Sequence, residues 1–268
     1  MKASGARELA KEAQAVIRLI RSESSPGRAG PIVVSGVLAE QLAKELGADA
    51  DPGAVVTGGD SLVQRAEVLV RVIAGDPKPE DEALVREADH EGVPLVLVQL
   101  WPQADWTRPF VLSPHVVECQ AGAGFPIDEI AARILDGVED GSALALRVPS
   151  LRASFRKGLV TRAVVRSAAL AAFTRHGATR PHLTLQQIRM LARLSNAVSP
   201  SPGPGASTAA PVLAGAAGVV VASGFAFRGA ARAASRVLPG PVANALVAAG
   251  GTWALAKAYR AFEAHRPS

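Results

Sequence analysis

The stretch Ala66-Glu67-Val68-Leu69-Val70-Arg71-Val72-Ile73, followed by Pro79-Glu80-Asp81-Glu82 and then by Pro94-Leu95-Val96-Leu97-Val98, decides the fold class. Its two near-continuous Val/Leu/Ile runs suit strands covered on both faces, and the segment between them has the length and polarity of a helix. The pattern repeats on either side. Pro31–Val34 and Ala54–Thr57 read as earlier strands with a helix over Val37–Leu46, and His115–Cys119 reads as a later strand with a helix over Pro126–Asp136. Residues 30–141 therefore predict a mostly parallel, Rossmann-like α/β sheet with flanking helices. Before it, Leu9, Ala13, Val16, Ile17 and Ile20 recur at helical spacing, so residues 1–29 predict a leading helix and a linker. Met1–Arg21 is charged throughout and lacks the apolar run of a secretion signal.

A length of 268 residues fits two domains, and the single Cys excludes an intramolecular disulfide framework or a Cys-based zinc cluster. The net charge of +5 conceals a division. Residues 1–141 hold 13 Lys+Arg against 23 Asp+Glu, whereas residues 142–268 hold 16 against one, Glu263. The second half predicts a basic helical domain and a surface for an anionic partner.

Ligands of such sheets bind beyond the carboxyl ends of the strands. Three loops qualify: Ser35-Gly36, Thr57-Gly58-Gly59-Asp60 and Ala74-Gly75-Asp76. Gly36, Gly58 and Gly59 would allow a phosphate close to the backbone, and Asp60 or Asp76 would hold a metal or a ribose hydroxyl. The plainer reading makes the glycines turns and the aspartates helix caps, and it carries more weight. Cys119 and His115 share a strand face but stand roughly 13 Å apart, too far for a thiolate–imidazole pair. No catalytic residue or cofactor is predicted.

The strand, acidic helix and strand quoted first resemble the middle of a small GTPase domain. That family follows its last such strand with Asn-Lys-x-Asp, where this chain has Leu100-Trp101-Pro102-Gln103. It also requires a Gly-Lys pair after the first strand, and the chain contains none. The resemblance thus implies a degenerate, nucleotide-free relative, because little remains to neutralise a triphosphate.

In the basic half, Leu151–His176 and Leu185–Val198 read as helices, and Ser199-Pro200-Ser201-Pro202-Gly203-Pro204-Gly205 breaks the chain after the second. Two uncharged runs come next, Ala209–Phe227 and Val237–Ala256, each near the length that spans a bilayer. Together they predict an apolar hairpin over 209–256, spanning the membrane or lying in its plane. Arg228, Arg232 and Arg236 share a helix face suited to lipid phosphates, with Trp253 and Lys257 near the far interface. Arginines alternating with Ala do not form a stacking surface, so nucleic acid is not expected.

The residues Leu183-Thr184-Leu185-Gln186-Gln187-Ile188-Arg189-Met190, Arg228-Gly229-Ala230-Ala231-Arg232, Leu238-Pro239-Gly240-Pro241 and Gly251-Thr252-Trp253-Ala254-Leu255 resemble the bacterial YcjF-type helical domain, domain of unknown function 697. The resemblance covers roughly 151–262 and implies membrane association beside a GTPase-like domain. It supplies no catalytic residues. The expectation is a non-enzymatic protein of the cytoplasmic membrane, its α/β domain in the cytoplasm, with anionic lipid and a GTPase or other protein as partners. Two alternatives stand beside it: a nucleotide switch with a non-standard site, and a soluble scaffold whose acidic and basic halves dock.

Overall fold

The structure is a computed structural model that describes residues 29–102, 115–139, 141–173, 186–187, 190–191, 193–194 and 240–264. Strands β1 (Ile32–Gly36), β2 (Val55–Thr57), β3 (Val68–Ala74), β4 (Leu95–Leu100) and β5 (Val116–Cys119) form one sheet in the order β2-β1-β3-β4-β5. All four pairings are parallel. Helices α1 (Ala39–Leu46), α2 (Pro79–His90) and α3 (Ile127–Gly137) flank it. The expected mostly parallel sheet with flanking helices is what the chain forms.

Side-chain alternation assigns the two faces. Val33 and Leu69 are partners in the β1–β3 register and pack with Leu84 and Ala88 of α2 and Val63 of a short 3-10 helix, Asp60–Arg65. Ile32, Val34, Val68 and Val70 point the other way and are fully buried too. Right-handed crossovers put α1 and α2 on opposite faces, because β1 to β2 and β3 to β4 run in opposite directions across the sheet. Burial on both sides explains why these strands are uninterrupted apolar runs.

The chain divides into two compact units, and the sheet unit runs from Pro26 to Arg156. Part of the basic half therefore belongs to it. Helix α4 (Gly141–Arg147) and a 3-10 turn (Pro149–Leu151), neither expected from the sequence, bury Leu144, Val148 and Leu151 completely. Arg147 donates to the Ala29 carbonyl at 2.6 Å, and Ser150 Oγ donates to the Leu46 carbonyl, also at 2.6 Å. A basic residue here is a tie to backbone carbonyls.

The remaining unit is helical in its described residues. Helix α5 (Arg152–Phe173) enters it at Lys157, and α6 spans Gly240–Ala264. Between them Gln186, Gln187, Met190, Leu191, Arg193 and Leu194 are helical. Thr252 of α6 is fully buried, donates to the Ala248 carbonyl at 2.9 Å and lies 3.1 Å from Ser167 Oγ of α5. It also accepts from Gln187 Nε2 at 3.4 Å. One hydroxyl thus joins three helical segments. Such a buried polar contact favours one register over its neighbours.

The membrane expectation is overturned here. Among the described residues no helix is long and apolar enough to cross a membrane. Helix α6 has the length, 25 residues, but its sequence is dominated by Ala and Gly and carries Lys257, Arg260 and Glu263. Its small residues serve a different purpose, seating Ala243, Gly251 and Ala256 in the interior of the helical unit. A membrane location, a transmembrane helix and a lipid partner are withdrawn with it. The first run, 209–227, and Arg228, Arg232 and Arg236 lie outside the described residues.

Candidate functional site

Strands β2, β1 and β3 are neighbours, so the three glycine loops stand side by side at the carboxyl edge of the sheet. Packing explains two of their glycines, Gly36 and Gly58, whereas a Cβ on Gly59 or Gly75 would meet nothing within 4 Å. Gly36 has φ +98°, and a Cβ there would run into the Val72 carbonyl oxygen of β3. Val37 N donates to that same oxygen at 3.0 Å, pinning the turn to the sheet. A Cβ on Gly58 would collide with the Leu62 side chain, while Gly58 N donates to Val34 O at 3.1 Å. Gly59 precedes the 3-10 helix that Asp60 opens, and the Asp60 side chain lies outside the described residues. Asp76 is exposed and follows Gly75, which sits at φ +75°.

The turn after β1 is apolar where a nucleotide site would be cationic, although Asp76 and Lys78 are exposed in the loop after β3. The turn from β1 into α1 contains only Val37 and Leu38, which are 46% and 44% exposed. Leu38 sits at φ 55°, and its side chain cannot cap the helix. No Lys or Arg lies between Gly36 and Lys44. Two strands across, roughly 10 Å away at the usual strand spacing, Trp101 follows β4 at φ 51° with 51% exposure. Its backbone N donates to Cys119 O at 2.8 Å. Bulky residues in left-handed backbone cost about 1–2 kcal/mol each and concentrate at functional positions. Here two of them present apolar side chains on one edge.

Beneath the edge, on the α2 face, lies a polar layer. Ser35, Arg71 and Leu97 are register partners on β1, β3 and β4. Arg71 Nε and Nη2 both donate to Asp81 Oδ1, at 2.8 and 2.6 Å, with side-chain exposures of only 16% and 7%. The second carboxylate oxygen accepts from Lys78 N at 2.8 Å. The N-terminus of α2, a natural anion site, is thus filled by the protein's own carboxylate. Gln99 is fully buried and donates through Nε2 to Gly75 O at 3.1 Å, fastening the loop after β3. Gln99 Oε1 and Ser35 Oγ are buried without a protein partner.

The sequence contained a signal for this layer. Arg71 and Gln99 are the polar residues that break two otherwise apolar strands. Leu38 and Trp101 had no such signal, since only backbone geometry singles them out. Cys119 donates through Sγ to Gly124 O at 2.9 Å, and burial raises its thiol pKa, so it stays a neutral thiol. Among the described residues no three His, Cys, Asp or Glu side chains are placed to hold a metal ion.

No protein-family model, curated protein or solved structure matches the chain. The GTPase-like and YcjF-type assignments expected from the sequence therefore gain no support from relatives. The turn after β1, two residues between Gly36 and Ala39, is shorter than a phosphate-binding loop of the G-x-x-x-x-G-K-[ST] type. Trp253 and Lys257, expected at a lipid interface, are a mutual contact on α6, with Lys257 Nζ 5.1 Å from the Trp253 ring centre.

Proposed function

We propose that this chain is a non-catalytic interaction scaffold, in which a doubly wound acidic unit and a basic helical unit each offer a recognition surface. Pro26–Arg156 carries 11 Lys+Arg against 20 Asp+Glu, and the other unit, Met1–Ser25 with Lys157–Ser268, carries 18 against four. The order 2-1-3-4-5 puts the ligand crevice of a doubly wound sheet at the β1/β3 switch point. The observation that carries the reading is what occupies that point. Val37 and Leu38 project there with Trp101 farther along the edge, and the guanidinium below them, Arg71, is committed to Asp81. An apolar, half-exposed turn over a committed cation suits an apolar protein segment better than a nucleotide.

The rival is a nucleotide-dependent hydrolase using Gly36, Gly58, Gly59, Asp60 and Asp76. Phosphate release by the full-length chain with millimolar Mg-GTP or Mg-ATP separates the two. The scaffold reading expects release no faster than without protein and no calorimetric binding signal. Turnover that disappears in Asp60→Ala or Asp76→Ala would establish the hydrolase instead.

A further inference from the structure

Among the described residues, helix α6 has one exposed face. Val242, Leu246 and Trp253 are 47%, 57% and 54% exposed, and the exposed Gly250 and Lys257 complete a spacing of four, four, three and four residues. At helical pitch these five positions fall within an arc of about 80° and form a ridge roughly 22 Å long. The other side of the helix is occupied within its own unit, where Thr252, Leu255 and Ala256 are buried. A Cβ on Gly250 would meet nothing within 4 Å, so a shallow notch separates Leu246 from Trp253.

Charge identifies the occupant. Lys257 and Arg260 are exposed at the end of the ridge, as are Lys157, Arg162 and Arg166 on α5. The whole helical unit, Met1–Ser25 with Lys157–Ser268, holds four acids against 18 bases, so a second copy of this unit would meet the ridge with like charge. A complementary partner must bring its own carboxylates. The linear ridge, about four turns long, matches apolar anchors at i, i+3, i+4 and i+7 of another helix.

We propose that the α6 ridge docks an acidic amphipathic helix of a protein partner, apolar side chains seated between Val242 and Trp253 and Asp or Glu facing Lys257 and Arg260. This site is independent of whatever binds the sheet edge. The chemistry is directional, requiring the apolar face and the acidic flank together.

The test uses the full-length chain and a fluorescent designed peptide, helical, with Leu on one face and Glu on the other. Saturable binding by anisotropy is expected, at least about tenfold tighter than for a scrambled peptide of the same composition or one with Lys in place of Glu. The double variant Leu246→Ala/Trp253→Ala should weaken it by about tenfold or more. Lys257→Glu should weaken it and flatten its salt dependence. Both variants change exposed side chains and leave the interior of the unit intact. No binding, equal binding of the scrambled peptide, or undiminished binding to both variants would overturn the proposal. So would equal capture of the chain by phosphatidylserine vesicles that compete with the peptide, since lipid would then be the occupant.

Discussion

Replacing Arg71 with Met is expected to destabilise the sheet unit by about 3–5 kcal/mol, the usual cost of stranding one member of a buried ion pair. Asp81 would keep its bond from Lys78 N but lose both guanidinium donors in a site where its side chain is 7% exposed. The thermal midpoint of the unit should fall by about 10 °C or more. The double variant Arg71→Met/Asp81→Leu removes the stranded charge and should recover most of that loss. It would stay below the parent by about 1 kcal/mol, the worth of the lost helix-start bond to Lys78 N. Thermal unfolding followed by hydrogen exchange in β3 checks both. A single variant as stable as the parent would mean that the pair is solvated and that Arg71 is available for an anion.

Gly36→Ala should be nearly as costly, at about 3–5 kcal/mol. Part is the backbone, since φ +98° is unfavourable for any residue with a Cβ. The rest is the collision with the Val72 carbonyl, which can be relieved only by moving β1 from β3 at the centre of the sheet. The same substitution separates the two readings of this glycine. A phosphate-binding glycine would lose ligand while leaving stability largely intact. A packing glycine loses stability first, seen as a lower urea midpoint and faster exchange at Val37 N, whose bond to Val72 O holds the turn.

The sheet was legible because both faces of β1, β3 and β4 are buried, which leaves apolar runs whose ends fall within two residues of the expected ones. The extent of the sheet unit was less so. Charge counting at Gly141 placed Arg147 and Arg152 with the basic half, yet both use their guanidinium groups to hold carbonyls, Ala29 and Gly30 for one and Ala145 and Leu146 for the other. Formal charge does not distinguish an arginine that meets a partner molecule from one that ties a loop. The uncharged run ending at Ala256 failed as a membrane signal for a related reason. Ala and Gly lack charge without being strongly apolar, and a close helix contact selects them as readily as a bilayer does.

At the carboxyl edge, the glycine motif was visible and its cause was not. Paired glycines look alike whether a ligand or a neighbouring strand approaches them, and the atoms facing Gly36 and Gly58 decide in favour of strand and side chain. Leu38 and Trp101 carry the apolar character of the edge, and their left-handed backbone is set by tertiary structure that no local pattern encodes. The charge division between the units, by contrast, is legible in the sequence and persists when counted within each unit, at 11 bases against 20 acids and 18 against four.

If this edge recognises an apolar protein surface and not a nucleotide, amide chemical shifts of the full-length chain will show it residue by residue. On titration with Mg-GTP and with Mg-ATP to millimolar concentration, the amides of Gly36, Val37, Leu38, Gly58 and Gly59 are predicted to stay in place. Saturating shifts confined to those five amides would overturn the scaffold assignment and make the edge a nucleotide site.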